Sequence, residues 1–127
     1  MPYINDTAFD QALNWIKSGV DRISVCTEDP ADAAASRTNP PTGNSLGFEA
    51  ITSANVTGPG AGTPTGRSVT MNAVTDGDID ATGTAARWAL SNSSQLLAYG
   101  NLSAPQAVTT GNKFTLGAFD ITILDAT

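Results

Sequence analysis

The chain has no histidine and a single cysteine, Cys26. The first absence removes Ser-His-Asp and Cys-His catalysis and the commonest zinc arrangements. The second removes any internal disulfide, so stability has to come from packing or association. Basic residues are few as well: six Lys and Arg against twelve Asp and Glu, a net charge of −6, with only 14% of the 127 residues charged. Lys17, Arg22, Arg37, Arg67, Arg87 and Lys113 are scattered singly. A phosphate-binding groove needs concentrated Lys and Arg, so nucleic acid is not an expected partner. No apolar run approaches the ~18 residues of a membrane span, and no basic start leads into an apolar stretch. A membrane is therefore not an expected partner, and the product is expected to stay in the cytoplasm that makes it until something assembles it.

Thr, Ser, Ala, Asn and Gly fill much of the rest. This balance is too apolar and too lightly charged for a disordered acidic tail. A single domain spanning 1–127 is expected, large enough to bury roughly two thirds of the surface its unfolded chain exposes.

One good helix is written into INDTAFDQALNWIKSG. Asp6 or Thr7 caps it, with Asp10 placed for a capping box. Phe9, Ala12, Leu13 and Ile16 make one apolar stripe, Lys17 suits the last turn and Gly19 a left-handed exit. Trp15 lies toward the edge of the stripe, over the core rim or a neighbouring subunit. DRISVC follows as a short strand ending in a half-buried thiol. The region 27–64 is rich in Pro, Gly, Ala and Thr and reads as an extended loop or arm, interrupted by a brief strand at LGFEAI.

From Arg67 onward the alternation is that of strands. RSVTMNAV leads to Asp76-Gly77, a hairpin signal, and DIDATGTAARWAL returns with a stagger attributed to Gly83. RWALSNSSQLLAYGNL is a second hairpin turning through SNSS. In the last strand Phe114, Leu116 and Ala118 share one parity while Phe119, Ile121 and Ile123 take the other. That requires a bulge near Gly117, as where an edge strand changes sheets. The fold class expected is mainly β: an antiparallel β-sandwich of about seven strands, one N-terminal α-helix and a long Pro/Gly/Thr-rich loop region.

Motifs for chemistry fail on inspection. DGDID at 76–80 lacks the turn glycine and the bidentate glutamate of a calcium loop. GAGTPTGRS at 60–68 has the wrong glycine spacing and no following helix for a phosphate loop. Glu28, Asp29 and Asp32 are acids near a loop, better read as solvated charge than as a glycosidase pair. The Asn-x-Ser/Thr triplets at Asn5, Asn55, Asn92 and Asn101 follow from composition. No catalytic residue, metal or cofactor is expected. Trp88 falls on the core parity.

The order of a helix, ISVCTEDP, a Pro/Gly/Thr-rich middle and then ARWALSNSSQLLAYGNLSAPQAVTTGNKFTLGAFDITI resembles a group of small virion structural proteins of tailed bacteriophages, decoration-like or tail-fibre-like. The resemblance spans nearly the whole chain and rests on order and spacing. It implies a non-enzymatic virion component that decorates the outer surface of the capsid, with a tail or fibre-attachment post as the alternative. Its partners would be the major capsid protein or other virion subunits, in a homo-oligomer or many copies per particle. Candidate partner-binding residues are Trp15, Pro30, Arg37, Pro40, Pro41, Pro59, Pro64 and Tyr99. A surface module binding host carbohydrate, with Trp15 and Tyr99 as an aromatic platform, is the other class.

Overall fold

A computed structural model describes residues 4–62 and 65–124. The protein is mainly β, with nine strands among the described residues in two antiparallel sheets. In chain order the elements are α1 (Asp6–Gly19), β1 (Arg22–Cys26), α2 (Ala33–Arg37), β2 (Ser45–Ala50), a 3-10 turn (Ser53–Asn55), β3 (Val56–Ala61), β4 (Arg67–Met71), β5 (Val74–Ile79), β6 (Gly83–Ser91), β7 (Leu96–Val108), β8 (Lys113–Leu116) and β9 (Phe119–Ile123). The six-stranded sheet runs β7-β6-β1-β2-β5-β8 and the three-stranded sheet runs β3-β4-β9. One buried cluster draws on both: Ile23, Val25, Leu46 and Leu90 from the larger, Val56, Val69 and Met71 from the smaller.

Helix α1 starts at Asn5, whose Oδ1 accepts the Thr7 N–H at 2.8 Å. Asp10 does not complete a capping box; it accepts from Arg67 Nε at 2.8 Å and Nη2 at 3.3 Å, tying α1 to β4. Lys17 Nζ donates to the Gly58 carbonyl at 2.8 Å, tying α1 to β3. Phe9 and Leu13, one turn apart, are the stripe residues that reach full burial, while Ala12 is exposed. The expected left-handed exit is absent: the chain leaves Gly19 through an extended Val20, whose N–H donates to the Ile16 carbonyl.

Strand β1 is central and buried on both faces. Ile23 and Val25 point into the core cluster, while Ser24 and Cys26 face the other way and are fully buried too. Their cover is the segment after β1, which packs α2 against β1, β2 and β6. Asp32 caps α2 by accepting the Ala35 N–H, and Ala33 and Ser36 are buried. The backbone bonds Thr27 N–H to Asn44 O, Asn44 N–H to Ala35 O and Ser45 N–H to Thr38 O close the segment on itself. Region 27–64 is thus not an extended arm. It supplies α2, β2 and β3, because its alanines and serines are small enough to pack a short helix onto the sheet.

Two further expectations are corrected. Asp76-Gly77 is not a hairpin turn: β4 and β5 lie in different sheets, and both residues sit inside β5. The left-handed backbone of Asp76 (φ 59) marks a bulge, since the β5–β8 register passes from Val74↔Leu116 to Gly77↔Phe114. A Cβ at 77 would lie 2.3 Å from the Phe114 ring, so glycine serves close approach there. The stagger in β6 falls not at Gly83 but at Ala86, where Ala85↔Gln106 gives way to Arg87↔Asn101. Residues 102–105 of β7 loop out opposite it. The hairpin through 92–95 is present, with Asn92 Oδ1 accepting from the Ser94 and Gln95 N–H groups. The parity switch near Gly117 is the passage from β8 in one sheet to β9 in the other, and Ala118 is exposed at that crossing.

Candidate functional site

Strands β7 and β8 are the two terminal strands of the six-stranded sheet, and both line the same groove. The groove has a volume of about 320 Å³ and continues along Val108 to Thr115 into a second hollow of about 330 Å³ that Lys113 borders. These sizes sit at the lower end of small-ligand sites, roughly 300–1,000 Å³.

Sequence and topology explain the walls. Trp88 pairs with Gly100 across β6 and β7, and its six-membered ring occupies the space a side chain at 100 would take, 2.7 Å from an added Cβ. Phe119, delivered by the sheet change at Gly117, stacks on Trp88 with ring centroids 4.4 Å apart and planes tilted by 34°. An aromatic pair of this kind adds about 0.5–1.5 kcal/mol beyond its buried area. Phe114, buried over Gly77, closes the floor. The stretch 101–106 of β7, which includes the looped-out residues 102–105, borders the groove. The backbone of β8 borders it from the other side at 114–116.

No ionisable side chain lines the groove. Among the described residues, the side chains of Asn101, Ser103, Gln106 and Thr115 and the Trp88 indole N–H make no hydrogen bond within the protein. This arrangement can stack and hydrogen-bond; it holds no group poised to exchange a proton at neutral pH.

The loop acids singled out from the sequence are engaged elsewhere. Asp29 accepts from Arg87 Nε at 2.6 Å, Asp32 caps α2, and Glu28 accepts from Asn44 at 3.3 Å. Among the described residues, no group of three or more His, Cys, Asp or Glu side chains is placed to hold a metal ion. Lys113 pairs with Asp78, which raises its pKa, and the bond from Arg67 to Asp10 raises that of Arg67. Arg22 lies 3.7 Å above the Phe48 ring, and burial is the main cause of its lowered pKa. Cys26 is fully buried, and desolvation pushes its thiol up to about 12.

The sequence-derived contact residues do not meet at one place. Trp15 (49% exposed) lies on α1 and Tyr99 (47% exposed) on β7, with no ring contact between them. Pro40 and Pro41 are exposed, and Pro59 is half-buried in β3. Pro30 is buried, and Arg37 is held by Asp21 at 2.8 Å and Ser91 Oγ at 3.3 Å. Pro64 lies outside the described residues. None of the described ones among these residues lines the groove. The groove residues were missed because Asn101 and Gln106 are unremarkable in sequence; the usable signal was the parity switch that delivers Phe119.

No family model, no curated protein and no solved structure matches this chain. None of the helices of the described residues is long and apolar enough to cross a membrane.

Proposed function

We propose that this chain is a non-catalytic structural component of a tailed-phage particle, a β-sandwich-type framework that adheres to other subunits. The post that fits first is capsid decoration, on the outer surface of the shell; a tail or fibre-attachment post is the alternative. The observation that carries the reading is the fate of the loop carboxylates. Glu28, Asp29 and Asp32 are engaged in holding the fold, while the groove is walled by neutral side chains. A surface organised this way binds by shape and hydrogen bonding. The net charge of −6 keeps the free subunit soluble and unattracted to DNA. Exposed Trp15, Pro40 and Pro41 offer low-entropy contacts at the surface.

The test is electron cryo-microscopy of purified particles combined with quantitative mass spectrometry. Copies in fixed ratio to the capsid subunit, resolved on the shell lattice, are the expected result. A single ring of copies at the tail assigns the alternative post, and absence from particles overturns the reading.

A further inference from the structure

Among the described residues the two sheets end in β7, β8, β3 and β9, and three of these are poor templates for another strand. Strand β3 contains Pro59 and shifts register between Thr57 and Gly60, and its Gly58 carbonyl already accepts from Lys17. Strand β8 is four residues long and opens on Lys113; β9 is five residues long with Asp120 inside it. Short length, charge, proline and bulges are what keep an exposed edge from pairing. Strand β7 differs. It spans 13 residues and lies within Trp88–Asn112, the longest stretch of the chain without a charged side chain. Its ladder to β6 is regular over Ala98–Asn101, between a register shift at Leu97 and the loop at 102–105. Beyond that ladder the backbone of 96–101 makes no hydrogen bond among the described residues.

Helix α1 reaches the same side of the molecule. A Cβ at Gly19 would lie 3.5 Å from Leu97 Cδ1, so this flank of α1 is turned to β7. Ala8, Ala12, Trp15 and Gly19 stand at i, i+4, i+7 and i+11, which makes them one stripe along that flank. Ala8, Ala12 and Trp15 are exposed, whereas Asp10 and Lys17, on the opposite flank, bond to β4 and β3. A partner here has to supply an uncharged strand edge in one layer and an apolar helix flank in the other, at the same separation. A second copy turned about a twofold axis normal to the sheet supplies both, because an isologous interface meets itself. Charge favours the same place: two chains of net charge −6 repel each other least where neither carries a charged side chain. We infer that two copies of this chain associate here, 96–101 of β7 pairing antiparallel with the same stretch of the second copy while the α1 stripes meet in the layer beneath. This joint covers two large apolar side chains that are otherwise exposed, Tyr99 on β7 and Trp15 on α1.

The association needs no particle, so its failure would leave the proposed post standing, and the reverse holds too. The experiment is sedimentation velocity of the whole protein from micromolar to millimolar concentration, paired with amide hydrogen exchange at both ends of that range. A reversible monomer–dimer equilibrium is expected, with the added protection at alternate amides of 96–101. Tyr99→Asp and Ala12→Glu each set like charges against each other across the axis and should weaken the dimer roughly tenfold. Asn14→Glu, the same charge on an exposed α1 position off the stripe, should leave it unchanged. All three positions are exposed, so the variants should fold, which far-ultraviolet circular dichroism checks. Should one fail to fold, the exchange pattern of the parent still decides. A monomer throughout the range overturns the inference. So does a dimer whose protection lies elsewhere, or one that Tyr99→Asp and Ala12→Glu both leave intact. Protection of β7 only in assembled particles assigns the edge to a different subunit and overturns it as well.

Discussion

Trp88 lies across Gly100, its ring standing where a Cβ at position 100 would come within 2.7 Å, and Phe119 stacks on it at a centroid distance of 4.4 Å. The glycine, the indole and the phenyl come from three strands in two sheets, so one short contact sets both the groove wall and the fit between layers. Gly100→Val should force the indole off its seat. Overpacking of this kind costs typically 1–3 kcal/mol. Urea unfolding should show a lower midpoint with unchanged slope, and near-ultraviolet circular dichroism should lose part of its tryptophan signal.

Ser24 makes the opposite case. Its Oγ is buried with no hydrogen-bond partner among the described residues, on the face of β1 covered by the α2 segment. A buried hydroxyl without a partner carries its desolvation cost uncompensated. Ser24→Ala should leave stability unchanged or raise it by about 1 kcal/mol, read from the urea midpoint. A loss greater than that would mean the hydroxyl bonds a buried water.

Cys26 should be inert in the native protein. Burial moves its thiol from the ordinary value of 9.0 to about 12, so the thiolate is scarce at neutral pH and the sulfur is inaccessible. A disulfide reagent should label it only at the rate of unfolding. The linkage sign follows from the raised pKa. Below about 9 both states keep the proton and stability is constant. Between 9 and 12 the unfolded chain releases it and the folded one does not, so stability falls by up to about 1.4 kcal/mol per pH unit. Cys26→Ala should flatten this alkaline slope relative to the parent.

Removing residues 30–43 should abolish cooperative folding rather than trim an arm. The ends of the gap are close, because the Thr27 N–H donates to the Asn44 carbonyl at 2.9 Å, so chain closure is not the obstacle. The loss is the cover over Ser24 and Cys26, together with the bonds of Arg37 to Asp21 and Ser91. The expected cost exceeds about 5 kcal/mol, the lower end of a domain's whole stability. Absence of a sigmoidal urea transition is the readout; a stable folded truncate would return the segment to a peripheral role.

What was legible in the sequence was whatever depends on neighbours along the chain. The 3.6-residue stripe of α1, the alternation of β4, the SNSS turn and the parity break at Gly117 are short-range patterns. Each appears close to its expected place. Asp76-Gly77 misled because an Asp-Gly sequence suits a hairpin turn and a bulge equally well, and only the strand opposite distinguishes them. The groove was illegible for a related reason: Trp88, Gln106 and Phe119 meet through pairings between strands far apart in the chain.

The amino-acid sequence alone therefore determined that this protein is mainly β, holds one substantial helix, lacks imidazole chemistry and carries an acidic, lightly charged surface. Composition and periodicity suffice for that, since they act residue by residue. Only the tertiary structure decided which strand joins which sheet, that 27–44 is cover for β1, and that two sheet edges frame an uncharged groove. Those outcomes depend on which distant segments pair, and local preference is nearly silent on that choice.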